Sequence, residues 1–212
     1  RRVVISSVLR YNSQYGGNVP ISVLEYKQLC GRAGRPQYDN EGESIIIGKN
    51  NQELLLERYV DGEPEPIESK IISPRSLRIH LLSLIVTSPS ITEDKIYEFF
   101  SETLGGTQTD DDIIELHLEN AKTFLLDEEF ILEDDGGFLA TRFGQKVSRL
   151  YIDPMTARDF RNAIEYDIVK GGEHTFGFLH LVTTCDEFYP TFDLRQKDLE
   201  KASIVIENNR QT

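Results

Sequence analysis

Two arginines and a glutamine share the stretch EYKQLCGRAGRPQYD, Glu25 to Asp39, in the order Gln28-x-x-Gly31-Arg32-x-Gly34-Arg35. Guanidinium groups are planar, permanently charged and carry forked donors, so two of them beside an amide suit a cluster of anionic oxygens. With Gln28 at zero on a helix of period 3.6, Arg32 falls at about 40° and Arg35 at about −20°. Val23, Tyr26, Cys30 and Ala33 point the opposite way. The spacing therefore predicts a helix over 24–35 with a core stripe of mostly small residues on one side and an arginine row on the other. Gly31 and Gly34 each cost about 1 kcal/mol relative to alanine inside a helix, a cost that close backbone approach would offset. An anion held between two domains accounts for both the arginines and the glycines, whereas a solvated helix face accounts for the arginines alone.

The elements that must position this row follow from the punctuation of the chain. VVISSVL (Val3 to Leu9) and VPISV (Val19 to Val23) are β-prone runs around NSQYGGN, whose Gly16-Gly17-Asn18 supplies positive φ, and together they predict a hairpin. Pro36 and QYDNEGE end the helix, and SIIIG, Ser44 to Gly48, predicts a short strand of the buried parallel type. Strand, helix and strand in that order indicate the edge of an α/β sheet. DGEPEPIES, with Pro64 and Pro66 among acids, predicts an extended connection.

Beyond Ser73 the periodicity becomes helical. SPRSLRIHLLSLIVTS places a capping serine and a first-turn proline before Leu77, Leu81, Leu82 and Ile85. Further helices are predicted from Thr92 to Phe100 and from Asp110 to Leu126, and FILEDDGGFLAT reads as a hairpin around Asp135-Gly136-Gly137. Three helices followed by a two-stranded wing is the order of a winged-helix module. YIDPMTARDFRNAIEYDIV starts another helix after Asp153-Pro154, and TFGFLHLVTT a further one, with His180 expected to be buried or half-buried in the core.

Composition narrows the classes of function. The 212 residues, 39% apolar, suffice for a sizeable core, and Cys30 and Cys185 form neither a disulfide framework nor a zinc site. His80, His117, His174 and His180 are scattered, so no metal centre is expected. No apolar run reaches eighteen residues and RRVVISSVLRYN lacks the pattern of a secretory leader, so the chain reads as soluble and cytoplasmic, with no membrane partner. The net charge of −13 argues against non-specific nucleic-acid binding by the chain as a whole. It is unevenly spread: residues 1–50 carry seven Lys/Arg against four Asp/Glu, which leaves −16 on the remainder. A polyanion can approach the amino-terminal quarter, because screening confines surface charges to roughly 10 Å.

The order Gln28-x-x-Gly31-Arg32-x-Gly34-Arg35 resembles motif VI of superfamily 2 helicases. Together with RRVVI, PISVLEYKQLCGRAGRPQYDNEGESIIIG, EPIESKI and LYIDPMTARDF, it makes the chain similar to the archaeal replication-fork repair helicases of the Hjm type, which are related to the helicase half of DNA polymerase theta and to the Ski-type RNA helicases. The resemblance implies an α/β remnant of a RecA-like domain followed by a mainly helical winged-helix domain and the start of a helical ratchet domain. Its boundaries are 1–60 for the end of the second RecA-like domain, 61–73 for a linker, 74–150 for the winged helix and 151–212 for the opening of the ratchet. It further implies that Gln28, Arg32 and Arg35 contact nucleotide, with Arg32 and Arg35 catalytic through charge stabilisation on the transferred phosphoryl group. The hairpin becomes a strand-separating wedge with Arg10, Tyr11 and Tyr15 at DNA, although an ordinary structural hairpin explains the same residues. ATP and Mg2+ are the cofactors implied for the intact enzyme, and single-stranded and forked DNA and the other RecA-like domain its partners.

The phosphate loop G-x-x-x-x-G-K-[ST] does not occur in the chain, and LLDEEF, Leu125 to Phe130, is a solvated turn rather than a Walker B acid. The sequence therefore reads as a fragment that is inactive alone and belongs to an ATP-dependent DNA helicase, with 3′ to 5′ polarity, acting at stalled forks. Arg142, Lys146 and Arg149 form a basic stripe next to the wing that suits phosphate contact, but among so many acids a solvated face or a surface packing on the first RecA-like domain is the better account of it. The alternative class is a non-catalytic winged-helix module that binds DNA or another protein.

Overall fold

The computed structural model describes residues 1–12, 15–35, 37–38, 41–170, 175–188 and 196–208. It divides into two compact units, Arg1–Ile67 and Glu68–Thr212. The proposed helix stop at Pro36, the turn residues Asp39 and Asn40, the hairpin residues Ser13 and Gln14, and His174 lie outside the described residues.

In the first unit, strand β1 (Arg2–Ile5) is followed by the hairpin β2 (Leu9–Asn12) and β3 (Gly17–Pro20), helix α1 (Val23–Cys30), strand β4 (Glu43–Ile46) and helix α2 (Glu53–Asp61). β1 pairs in parallel with β4, with Arg2 opposite Glu43 and Ile5 opposite Ile46. β2 and β3 pair antiparallel, with Arg10 opposite Val19 and Tyr11 opposite Asn18. The run expected to form one hairpin strand is thus divided between two sheets. The cause is local: the Leu9 amide donates to Ser7 Oγ at 3.1 Å, a side-chain turn that competes with the strand ladder. Ile5, Val8, Val23, Tyr26 and Tyr59 form the core, and the Tyr26 and Tyr59 rings meet at 5.2 Å.

Three expectations for this unit need correction. The helix ends at Cys30, a single 3-10 turn covers Gly31–Ala33, and Gly34 is extended at φ −138° and ψ 154°. Arg35 therefore leaves the helical wheel on which it shared a row with Gln28. β4 is parallel as expected but not buried: Ile45 and Ile47 are 38% and 54% exposed, because only β1 pairs with it among the described residues. Helix α2 was not foreseen. Leu55, Leu56 and Tyr59 give it an i, i+1, i+4 pattern, but charged neighbours masked a stripe only nine residues long.

The second unit contains α3 (Pro74–Thr87), α4 (Glu93–Ser101), the short α5 (Leu104–Thr107), α6 (Asp111–Asp127), the wing β5 (Ile131–Asp134) and β6 (Gly137–Ala140), then α7 (Arg142–Leu150), α8 (Pro154–Lys170), α9 (Thr175–Thr184) and α10 (Gln196–Asn208). Leu77, Leu81, Leu82 and Ile85 of α3 are buried against Ile114, Leu118, Ala121 and Leu125 of α6, at the helical spacing the sequence displays. Ser73 occupies the cap position of α3, yet its side chain caps no amide; its hydroxyl bonds Ser76 Oγ at 3.0 Å instead. The wing closes on Asp135 and Gly136 at φ 48° and 80°, the two left-handed residues of a type I′ turn. Phe130, at the foot of the wing, stacks between Phe124 and Phe143, at 6.1 and 5.1 Å.

Helix α8 is tied into this same core. Ala157 is buried with the helices above, and Arg161 donates from Nη1 to the Glu128 carbonyl at 2.7 Å, satisfying a half-buried acceptor at the end of α6. Helix α9 has no buried residue and His180 is exposed, contrary to the core role expected of FLHLVTT. Its residues are apolar without an amphipathic stripe, so hydropathy alone misplaced them. No helix among the described residues is long and apolar enough to cross a membrane.

Candidate functional site

The arginine-bearing turn is held by α1 beneath it and β4 beside it. Ser22 Oγ accepts from the Glu25 amide at 3.0 Å, a side-chain cap at the first turn of α1. The Val23 and Leu24 amides donate to Glu65 Oε1 and Oε2 at 2.9 and 2.8 Å. These amide bonds, Leu24 first and then Val23, hold the Glu65 carboxyl below its ordinary value. α2 takes in Asp61, and from Gly62 to Ser69 the chain forms neither helix nor strand, as its prolines dictate, but Glu65 within this segment completes the helix that carries Gln28. Tyr59 donates its hydroxyl to the Ile21 carbonyl, and Lys27 donates to the Val60 carbonyl at 2.8 Å, so α2 braces both ends of α1. Burial, then a hydrogen bond with Cys30 and its charge, push the Tyr26 hydroxyl up to about 12.

Gln28 and Arg32 lie one turn apart along the path of α1 and its 3-10 extension, and both are exposed. Arg35 is exposed after Gly34, with its guanidinium 5.1 Å from the centre of the Tyr38 ring. The Tyr38 amide donates to the Arg35 carbonyl at 2.9 Å, which places the ring under its own arginine. Among the described residues no carboxylate pairs with Arg32. Two planar cations and an amide therefore project from one short turn, an arrangement that can contact anionic oxygens.

The close approach that the glycines imply is made by Gly42. A Cβ there would lie 2.9 Å from the Ala33 carbonyl carbon and 3.1 Å from the Gly34 nitrogen. Gly31 has nothing within 4 Å of such a position. The start of β4 thus packs directly on the backbone that displays Arg32 and Arg35. Sequence reasoning missed both Tyr38 and Glu65. The signal for Tyr38 was its place three residues after an arginine in a turn, and no local signal identified Glu65.

The hairpin residues divide. Arg10 forms an ion pair with Glu25 of α1. Tyr11, the next residue on β2, points to the opposite face by strand alternation and is 60% exposed. Tyr15, beside the turn glycine Gly16, is 77% exposed. Tyr11 and Tyr15 are therefore presented to solvent, while Arg10 buttresses the helix of the arginine turn. In the second unit Arg142, Lys146 and Arg149 are exposed along α7, and no acid occurs between Asp135 and Asp153.

Comparison with known proteins places these features in context. A model described as a helix-turn-helix domain matches residues 42–132. The chain is 40% identical over 185 residues to a protein named ATP-dependent DNA helicase Hel308 from Methanocella arvoryzae, a match covering 86% of this chain and 25% of that protein. It is 32% identical over 202 residues to the protein of the same name from Thermococcus kodakarensis, covering 94% of this chain and 18% of that one. The chain therefore spans a quarter or less of the curated relatives it matches. Over most of its length it is similar to one segment of each of these two proteins.

Proposed function

We propose that this chain is part of an ATP-dependent DNA helicase of the Hel308 type, and that its arginine turn completes the nucleotide site of that enzyme. The observation that carries the reading is the exposed Gln28, Arg32 and Arg35 set, displayed from a braced helix in a chain 40% identical over 185 residues to a Hel308 helicase. Arg32 and Arg35 place fixed positive charge where the phosphoryl oxygens of ATP gain charge, and Gln28 orients the nucleotide beside them. ATP with Mg2+ supplies the phosphoryl group, held by the phosphate loop of another RecA-like domain. No phosphate loop occurs in this sequence, so hydrolysis by the 212-residue chain alone is not expected.

In this reading residues 1–60 belong to the second RecA-like domain, 61–73 link, 74–150 form the winged helix and 151–212 open a ratchet domain. The hairpin β2–β3 separates strands at the duplex junction, with Tyr11 and Tyr15 offering stacking faces to bases and Arg10 fixing the hairpin against α1. The substrate is forked DNA, unwound 3′ to 5′ in replication-fork repair. The test is Arg32→Ala and Arg35→Ala in the complete helicase. DNA-stimulated ATP hydrolysis is expected to fall by roughly 10³, while forked DNA is still bound. Unchanged hydrolysis in either variant would remove the assignment.

A further inference from the structure

A helix-turn-helix fold ordinarily places its second motif helix in the major groove of DNA, with the first residues of that helix at the base edges. In the matched domain that position belongs to α6, the helix before the wing. The charge of α6 forbids this use. Its cap and first turns carry Asp110, Asp111, Asp112 and Glu115, followed by Glu119, and no cation precedes Lys122. A phosphate backbone brought to this surface would meet carboxylates at every turn.

The same surface contains a groove of about 720 Å³ between α4 and α6. Its apolar lining includes Leu81, Ile96 and Leu116, and Leu116 is 58% exposed. Its rim carries Glu93 and Asp94 from α4 and Asp112, Glu115 and Glu119 from α6. Lys122, the cation lining the groove, is bridged to both Glu93 and Glu119. Burial disfavours its charge, but the hydrogen bonds it donates to Glu119 and Glu93 raise its pKa overall, so it stays charged and engaged. The rim therefore keeps a net negative charge. Among the described residues no three acids, histidines or cysteines converge on a metal position, so these carboxylates are spread along an edge.

We propose that the α4–α6 groove docks a basic amphipathic helix of a partner protein. Its apolar stripe seats on Leu116 and the groove floor, and its Lys and Arg flanks pair with the rim, the helix-in-groove mode of recognition. Charge complementarity selects this occupant: an apolar floor ringed by acids repels nucleic acid and fits an apolar ridge flanked by cations. The inference is independent of the nucleotide site and does not rest on the helicase reading.

The test uses the 212-residue chain and a fluorescein-labelled eighteen-residue peptide of leucines and lysines, with leucines at i, i+3, i+4 and i+7, read by fluorescence anisotropy. Saturable binding is expected. Leu116→Asp adds negative charge at an exposed position, yet should weaken binding by about tenfold or more, because the apolar seat is lost. The double variant Asp112→Asn/Glu115→Gln should weaken it by several-fold, and Glu133→Gln/Asp134→Asn on the wing should leave it unchanged. Absence of binding, equal or tighter binding by Leu116→Asp, or an equal loss in the wing variant would overturn the proposal. So would displacement of the peptide by duplex DNA, which would make nucleic acid the ligand. Binding to this chain but not to the complete protein would also overturn it, since the groove would then be covered by its own polypeptide.

Discussion

Arg78 of α3 straddles the carboxylate of Asp153, with Nε 3.4 Å from Oδ1 and Nη2 3.2 Å from Oδ2. Asp153 is 2% exposed and also accepts from the Met155 amide at 3.0 Å, capping α8, while Arg75 Nε lies 3.5 Å from Oδ2. A buried carboxylate with two guanidinium partners ties the first turn of α3 to the first turn of α8. Removing Arg78 leaves this buried charge with only the longer contact to the half-exposed Arg75. Arg78→Met is therefore expected to destabilise the second unit by about 3 kcal/mol. Asp153→Asn, which keeps a side-chain oxygen for the Met155 amide, should cost less than Asp153→Ala. Urea unfolding of the three variants checks both statements, and equal midpoints would contradict them.

Acid sensitivity follows from Glu187. Its Oε1 accepts from the Asp153 amide and its Oε2 from the Thr156 hydroxyl, both at 2.8 Å. Burial pushes its pKa up, but these two bonds and the nearby Arg75 bring it below the ordinary 4.5. A carboxyl depressed in the folded state contributes stability that is fully present above its unfolded pKa and lost as pH falls through the folded one. The second unit should therefore keep its stability from neutral pH down to the ordinary glutamate range and lose part of it below. Glu187→Gln should flatten that acid limb. The measurement is thermal unfolding of both proteins as a function of pH, and parallel curves would refute it.

Packing at Gly42 controls the arginine turn. An alanine Cβ would sit 2.9 Å from the backbone of Ala33, and backbone cannot yield as a flexible side chain does. Gly42→Ala is expected to destabilise the first unit by about 1–3 kcal/mol. In an intact helicase it should also lower DNA-stimulated hydrolysis without touching nucleotide. Denaturant unfolding of the chain checks the first effect, and a wild-type midpoint would exclude the clash.

Tyr38 provides a graded test of the Arg35 assignment. At an exposed site a guanidinium over an aromatic ring gains about 0.5–1 kcal/mol. Tyr38→Ala in the complete helicase should therefore reduce hydrolysis by about two- to fivefold, far less than Arg35→Ala. Tyr38→Phe retains the ring and should retain the rate. Steady-state ATPase measurements decide, and a defect in Tyr38→Phe would point to the hydroxyl instead.

Periodicity and turn chemistry made much of this chain legible. The order of three helices and a wing could be read from Leu77, Leu81, Leu82 and Ile85, from the α6 apolar positions and from Asp135-Gly136, because each depends on neighbours within a few residues. The arginine set could be read for the same reason, as residue types at fixed spacing. Where the helix beneath it stops could not. Gly34 turns extended where the start of β4 packs on it, a contact made by Gly42 from further along the chain. Glu65 likewise looks like a linker acid until folding brings it to the amides of Val23 and Leu24, more than forty residues away in sequence.

By itself, then, the sequence determined the main helices and the wing of the second unit, the anion-suited arginines and the acidity of α6. Tertiary structure decided that Arg35 stands over Tyr38 rather than in a row with Gln28, that Arg10 braces α1, and that α6 and α4 enclose an acid-rimmed apolar groove. The physical reason is the range of the interactions: propensity and spacing act locally along the chain, whereas close packing and charge pairing depend on which distant segments folding brings together.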